Sequence, residues 1–198
     1  RINSLAFHPN NSNVIYAGAA GGGLWQSNDG GSTWFTNTDN LATIGVSAIL
    51  VDPSNPNIIY IGTGDGDGGD NYSVGVLKST DGGVTFNTTG LNWSTFNKRL
   101  MKRMIFDPDN SSIIYAATTD GIYRTANSGI SWTQVRSGNF QDIEAKRLTN
   151  SNIFYASSDN NIYRSTNDGV TWSLAQTITS TNRIALGVSP ANNDYVYA

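Results

Sequence analysis

At 198 residues and a net charge of −3, the chain can bury a full core but offers no broad basic surface to nucleic acid or an anionic membrane. It has no cysteine and a single histidine, His8, which excludes disulfides, thiolate nucleophiles and metal clusters built from Cys or His. Aromatic residues reach 11 % and charged ones only 14 %, a profile of short strands and tight turns, and no apolar run approaches the roughly 18 residues of a membrane span.

In chain order, the same parts recur. An apolar strand ends in a turn at SLAFHPNNSN, and again at AILVDPSNPN, MIFDPDNSS and, more loosely, IEAKRLTNSN. A second strand follows with a shared signature: Val14-Ile15-Tyr16-Ala17, Ile58-Ile59-Tyr60-Ile61, Ile113-Ile114-Tyr115-Ala116 and Ile153-Phe154-Tyr155-Ala156. A third strand reads GLWQS, GVLKS, GIYRT or NIYRS and runs into an eight-residue box, whose closing aromatic is expected to begin the fourth strand. Four short strands per repeat, each bounded by Gly, Pro, Asn or Asp, predict an all-β chain of four-stranded antiparallel blades.

The box reads SNDGGSTW at 27–34, STDGGVTF at 79–86, TANSGISW at 125–132 and STNDGVTW at 165–172. Its first hydroxyl (Ser27, Ser79, Thr125, Ser165) can bond across the hairpin. Its third residue (Asp29, Asp81, Asn127, Asn167) can accept backbone N–H bonds in an Asx-type turn. Gly31, Gly83, Gly129 and Gly169 supply positive φ, and Trp34, Phe86, Trp132 and Trp172 are expected to bury a ring between sheets. Exchange of Asp for Asn removes a charge that a metal site needs and a turn does not. The box therefore reads as hairpin chemistry.

S-x-D-x-G-x-T-W after a third strand resembles the Asp-box or BNR repeat, a family that includes sialidases, xyloglucanases and sortilin-type Vps10 domains. The phrases IIYIGTGDGDGGDNYSVGVLKSTDGGVTF and NPNIIYIGTG also resemble propeller segments of large secreted proteins of Bacteroidetes, often exported by the type IX system. The resemblance implies a β-propeller with blades at about 1–43, 44–97, 98–139 and 140–180 and the start of a fifth at 181–198. Ending in mid-blade, the chain is expected to be an incomplete part of a larger propeller, of about seven blades. The alternative is a closed four-bladed ring.

Successive turns of a meander fall on opposite ends, so the boxes share one end and the second-to-third loops and crossovers the other. On that second end, blade two alone has a long loop, GDGDGGDNYS at 64–73. Its Asp65, Asp67 and Asp70 offer hard oxygen ligands for Ca²⁺; the alternatives are a solvated loop or catalytic carboxylates. The crossover into blade three carries Lys98, Arg99, Lys102 and Arg103, read either as an anion-binding channel mouth or as solvated charge. Trp93 and Phe96 on the same crossover can stack a sugar or cap the blade.

Sialidase-type catalysis needs an arginine triad and an early Arg-Ile-Pro motif, which neither Arg1-Ile2-Asn3 nor Arg183-Ile184-Ala185 supplies; Glu144 is the one glutamate in the chain. The xyloglucanase resemblance places a catalytic Asp just after the first second-strand signature, where this chain has Ala20; Asp65 holds a similar place in blade two. The expectation is a secreted or cell-surface bacterial module, part of a larger polypeptide, that binds a glycan or protein ligand without catalysis, with Trp93, Arg99, Lys102 and Arg103 as contacts. The alternative is a glycoside hydrolase whose carboxylates include the blade-two loop or lie in other blades.

Overall fold

A computed structural model of the chain describes residues 1–148, 152–179, 181–189 and 195–198. The turn read at 149–151 lies outside them, as do parts of the fifth repeat. Strands β1 (Ile2–His8), β2 (Asn11–Ala19), β3 (Gly23–Ser27) and β4 (Phe35–Thr36) form one antiparallel meander in chain order. The pattern repeats in β5 (Val46–Val51), β6 (Ile59–Thr63), β7 (Gly75–Ser79) and β8 (Asn87–Asn92). It recurs in β9 (Met101–Phe106), β10 (Ile114–Thr118), β11 (Gly121–Thr125) and β12 (Thr133–Ser137). The last full sheet is β13 (Asp142–Arg147), β14 (Asn152–Ser158), β15 (Asn161–Ser165) and β16 (Ser173–Thr177), followed by the pair β17 (Gly187–Val188) and β18 (Val196–Tyr197). The described helical structure is one 3₁₀ turn at Thr95–Asn97.

The fourth strands start one residue after the box aromatic, at Phe35, Asn87, Thr133 and Ser173, rather than at the aromatic itself. The closing residue is still part of the turn: the indole N–H of Trp34 donates to Gly31 O (3.0 Å) and that of Trp172 to Gly169 O (2.9 Å).

The chain divides into two compact units, Arg1–Met101 and Lys102–Ala198. In the first, Tyr16, Leu24, Val46, Ile49, Ile59, Ile61 and Leu77 form a core between two sheets, with Phe86 packed against it. In the second, Tyr115, Ile122, Phe140, Ile143, Phe154 and Trp172 do the same, the Tyr115 and Phe154 rings lying 4.4 Å apart. Strands β6 and β10 are buried along their whole length because second strands sit inside the sheet with both faces covered. That explains their uninterrupted apolar signature.

The box aromatics do not all bury as the repeat suggests. Trp172 is buried, Phe86 and Trp132 are half-buried, and Trp34 is exposed. Phe86 and Trp172 each lie against the first sheet of their own unit, whereas Trp34 sits on the outer side of such a sheet.

Candidate functional site

The four boxes share one hydrogen-bond pattern with one reversal. Ser27 Oγ donates to Asp29 Oδ1 (2.8 Å) and accepts from Gly31 N (2.8 Å), while Asp29 accepts from Thr33 N (2.9 Å) and the Thr33 hydroxyl (2.6 Å). Ser79, Asp81, Gly83 and Thr85 reproduce this arrangement. In the later boxes the amide does what the carboxylate did, by donating: Asn127 Nδ2 bonds Ser131 Oγ and Asn167 Nδ2 bonds Thr171 Oγ1, both at 2.9 Å. The opening hydroxyls Thr125 and Ser165 still accept from Gly129 N and Gly169 N. The opening hydroxyl therefore works inside the box rather than across the hairpin, and Asn satisfies the turn as fully as Asp.

Donation from the Thr33 hydroxyl and N–H and from Ser27 holds Asp29 at about 2, below its ordinary 3.8, and Thr85 and Ser79 do the same for Asp81. A carboxyl depressed in the folded state contributes stability that is present above pH 3.8 and lost as the pH falls toward 2. Asn127 and Asn167 do not titrate. Amide exchange at Thr33 and Thr85 is therefore expected to lose protection between pH 4 and 2, relative to Ser131 and Thr171 followed by NMR on the same sample.

The opposite end of the first unit is built differently. The 64–73 excursion is pinned from beneath by buried hydroxyls: Ser47 Oγ donates to Gly64 O and accepts from Gly66 N (both 2.7 Å), and Thr63 Oγ1 donates to Gly75 O (2.8 Å) and accepts from Val74 N (2.9 Å). Asn71 Nδ2 reaches Ala20 O (3.1 Å), tying the excursion to the β2–β3 loop. Ser73 N donates to Arg99 O (2.9 Å) and Trp93 N to Val74 O (3.0 Å), tying it to the crossover after β8.

Asp65 is 1 % exposed and faces inward. Arg1 Nη2 donates to both its oxygens, Asn3 Nδ2 donates at 3.1 Å, and Gly68 N donates at 3.1 Å. Burial pushes the Asp65 carboxyl up, but Gly68, Arg1 and Asn3 together outweigh it and hold it at about 2. Asp67 and Asp70 lie on the exposed surface. Among the described residues no three His, Cys, Asp or Glu side chains gather as metal ligands. Asp65 is thus paired with the Arg1 guanidinium, while Asp67 and Asp70 are exposed. The Arg1–Asn3–Asp65 clasp carries no local sequence signal, since Asp65 is more than sixty positions from the other two.

The crossover presents aromatic surface. Ser94 and Asn97 close a capping box around the 3₁₀ turn: Phe96 N donates to Ser94 Oγ (3.3 Å) and Ser94 N to Asn97 Oδ1 (3.1 Å). This fixed turn holds Phe96 92 % exposed. Beside it the Arg99 guanidinium lies 5.3 Å from the half-buried Trp93 ring, and Tyr72 is exposed on the neighbouring loop. A large apolar ring fixed in water on a hydrogen-bonded turn is a contact surface rather than core.

The basic residues of the crossover fall on both sides of the division between the units. Lys98 and Arg99 belong to the first unit, Lys102 and Arg103 to the second. Arg103 Nη2 donates to Glu144 Oε1 (2.7 Å) and its Nε lies 3.7 Å from Asp142 Oδ1, so this cation is matched by carboxylates on β13. Burial raises the Glu144 pKa against the opposing pull of Arg103. Arg103→Gln is therefore expected to raise it further, as read by NMR titration of the Glu144 carboxyl.

No protein-family model matches the chain. A xyloglucanase of Paenibacillus sp is 27% identical over 148 residues, 69% of this chain and 14% of that protein. An ancestral GH74 enzyme superposes with a TM-score of 0.74 at 20% identity, covering 92% of this chain and 26% of its own. The chain is a β-propeller segment. YCF48 bound to D1 peptide also superposes, with a TM-score of 0.65 at 18% identity, over 96% of this chain and 57% of its own. The segment spans less than a fifth of the length of the curated xyloglucanases it matches, which range from 14% to 18%.

Proposed function

We propose that this propeller segment is a non-catalytic binding module of a larger secreted or cell-surface bacterial protein of the Asp-box kind, and that it takes a glycan or an extended protein segment on the loop end of its first unit. The observation that carries this reading is the Trp93 ring with the Arg99 guanidinium 5.3 Å from its centroid, on the same crossover as the 92 % exposed Phe96. Aromatic faces give sugars and peptides apolar contact, and an Arg beside them donates to hydroxyls or carbonyls. The carboxylate nearest to an enzyme-like position, Asp65, is ion-paired and inward-facing, which suits a structural role. Similarity to xyloglucanases makes xyloglucan the first glycan to test.

Affinity electrophoresis in soluble xyloglucan, with a peptide array in parallel, tests this. Phe96→Ala and Trp93→Ala are each expected to weaken binding about tenfold, the cost of about 1.4 kcal/mol of lost stacking. Retention unchanged in both variants would contradict the proposal.

A second reading, glycoside hydrolysis, is favoured by the same sequence similarity and by Asp142 and Glu144. These stand at alternate positions of β13 on the Arg103 side, with Glu144 made a weaker acid by burial. Turnover of aryl glycosides that disappears in Glu144→Gln would support it over the binding reading.

A further inference from the structure

An Asp-Gly pair can isomerise through attack of the glycine nitrogen on the aspartyl carboxyl, because glycine has no side chain to obstruct ring closure. The chain has six such pairs, at 29–30, 65–66, 67–68, 81–82, 120–121 and 168–169. All six glycine N–H groups are hydrogen-bonded, but not equally well. Gly30 and Gly82 donate to main-chain carbonyls, Asn13 O and Asn57 O, both at 2.9 Å. Gly66, Gly121 and Gly169 are buried and donate to the buried hydroxyls of Ser47 (2.7 Å), Thr118 (3.0 Å) and Ser165 (3.0 Å). Gly68 alone among the six is both exposed and dependent on a side-chain acceptor. That acceptor is Asp65 Oδ1, at 3.1 Å the longest of these bonds.

The carboxyl groups differ in the same sense. Asp29 and Asp81 are each held by the hydroxyl and N–H of a threonine, Thr33 or Thr85. Both oxygens of Asp65 accept from Arg1, and Asp120 accepts from the Tyr123 hydroxyl. Asp168 has its main-chain carbonyl held by Tyr115 and Arg124. Asp67 lies on the surface, and Asp65 orders the turn around it. Asp65 Oδ1 accepts from Asp67 N (3.3 Å) as well as from Gly68 N, and Asp65 O accepts from Gly69 N (3.0 Å). Arg1 and Asn3, at the start of the first sheet, in turn hold the Asp65 carboxylate.

We infer that Asp67–Gly68 is the pair at which the folded backbone isomerises to isoaspartate, and that opening of the Arg1–Asn3–Asp65 clasp sets the rate. Once the clasp opens, Gly68 N gives up its proton and bonds to Asp67 Cγ. The carboxyl loses water and a succinimide ring closes. Water then adds to one of the two ring carbonyls. Breaking the N–Cγ bond restores aspartate. Breaking the bond from Gly68 N to the Asp67 main-chain carbonyl carbon leaves the chain running through Cβ and Cγ. The water lost is regained, and nothing is oxidised or reduced. The product carries one more backbone carbon inside the turn that Gly69 N closes onto Asp65 O, in the excursion that Ser73 N ties to Arg99 O. The clasp is thus a chemical guard on this loop, acting through the rarity of its local opening.

Ageing the natural full-length product in neutral buffer tests this. Isoaspartate is mapped at each of the six pairs by electron-transfer mass spectrometry, and a urea-unfolded sample gives each pair's unguarded rate. Isoaspartate is expected at position 67 before the other five. Asp65→Ala is expected to speed its formation there about tenfold, and Asn3→Ala about threefold, as opening loses the opposition of one hydrogen bond or more. The other five pairs are expected to keep their rates, which separates loss of the clasp from loss of the fold. Asn3→Ala, which leaves Arg1 and Asp65 in place, keeps the test if Asp65→Ala unfolds the unit. Isoaspartate first in a box, or none at 67 while the unfolded sample reacts there, overturns the proposal. So does an unchanged rate at 67 in Asn3→Ala. A slower rate in Asp65→Ala overturns it as well, since Asp65 would then be the base that takes the Gly68 proton.

Discussion

Gly169→Ala is expected to destabilise the second unit by about 3 kcal/mol, whereas Gly31→Ala at the same box position costs the first unit only about 1 kcal/mol. Both glycines have positive φ, +68° and +94°, so both substitutions carry the left-handed backbone penalty. They differ in what a methyl group would meet. At Gly31 the nearest atom is Trp34 Cζ2 at 3.7 Å, an ordinary contact beside an exposed ring. At Gly169 the Cβ would collide with the Tyr115 ring, which is fully buried and anchored by its hydroxyl to Asp168 O (2.7 Å). The ring cannot swing aside without breaking that bond and leaving the core. Urea unfolding followed by unit-resolved hydrogen exchange measures both costs; equal costs would mean that box glycines matter only through φ.

Asp65→Leu is expected to cost the first unit roughly 3 kcal/mol, because a hydrogen bond to a charged group contributes about 1.5–3 kcal/mol and at least three donors lose this acceptor. The figure stays below a simple sum because the half-exposed Arg1 can return to water. Protection is expected to collapse over 64–73 while the boxes keep theirs. Ca²⁺ or EDTA is expected to leave the Tm of the wild-type chain unchanged, since the loop carboxylates do not converge. A calcium-dependent rise abolished by Asp65→Leu would restore the metal reading. The clasp should also weaken as the pH falls from 3.8 toward 2, the window in which Asp65 gains a proton.

The scaffold was legible because local chemistry writes it. Recurrent Tyr16, Tyr60, Tyr115 and Tyr155 mark the interior strand, and the boxes mark the hairpin, each within a few residues. The exposure of Trp34 is not legible there, since a repeat cannot say which copy faces a neighbour. The spacing D-x-D-x-x-D leaves a calcium site, a solvated loop and catalytic carboxylates open; it does not show that Asp65, between turns at Gly64 and Gly69 (φ +92° and +75°), lies against Arg1. Arg103 reads from the sequence as a channel-mouth cation or as solvated charge; the structure sets Glu144 of β13 against it. Contacts across tens of residues have no local pattern to betray them. Trp93, Phe96 and Arg99 are readable as one crossover because they stand together in the sequence.

Scaffolding at the box end and ligand contact at the loop end of the first unit is the proposed division of roles. Hydrogen–deuterium exchange with and without a xyloglucan oligosaccharide, repeated with the best peptide from the array, tests that division directly. Protection is expected over 64–73 and 93–100, with the four boxes unchanged. Protection confined to the boxes, or to β13 around Glu144, would contradict it.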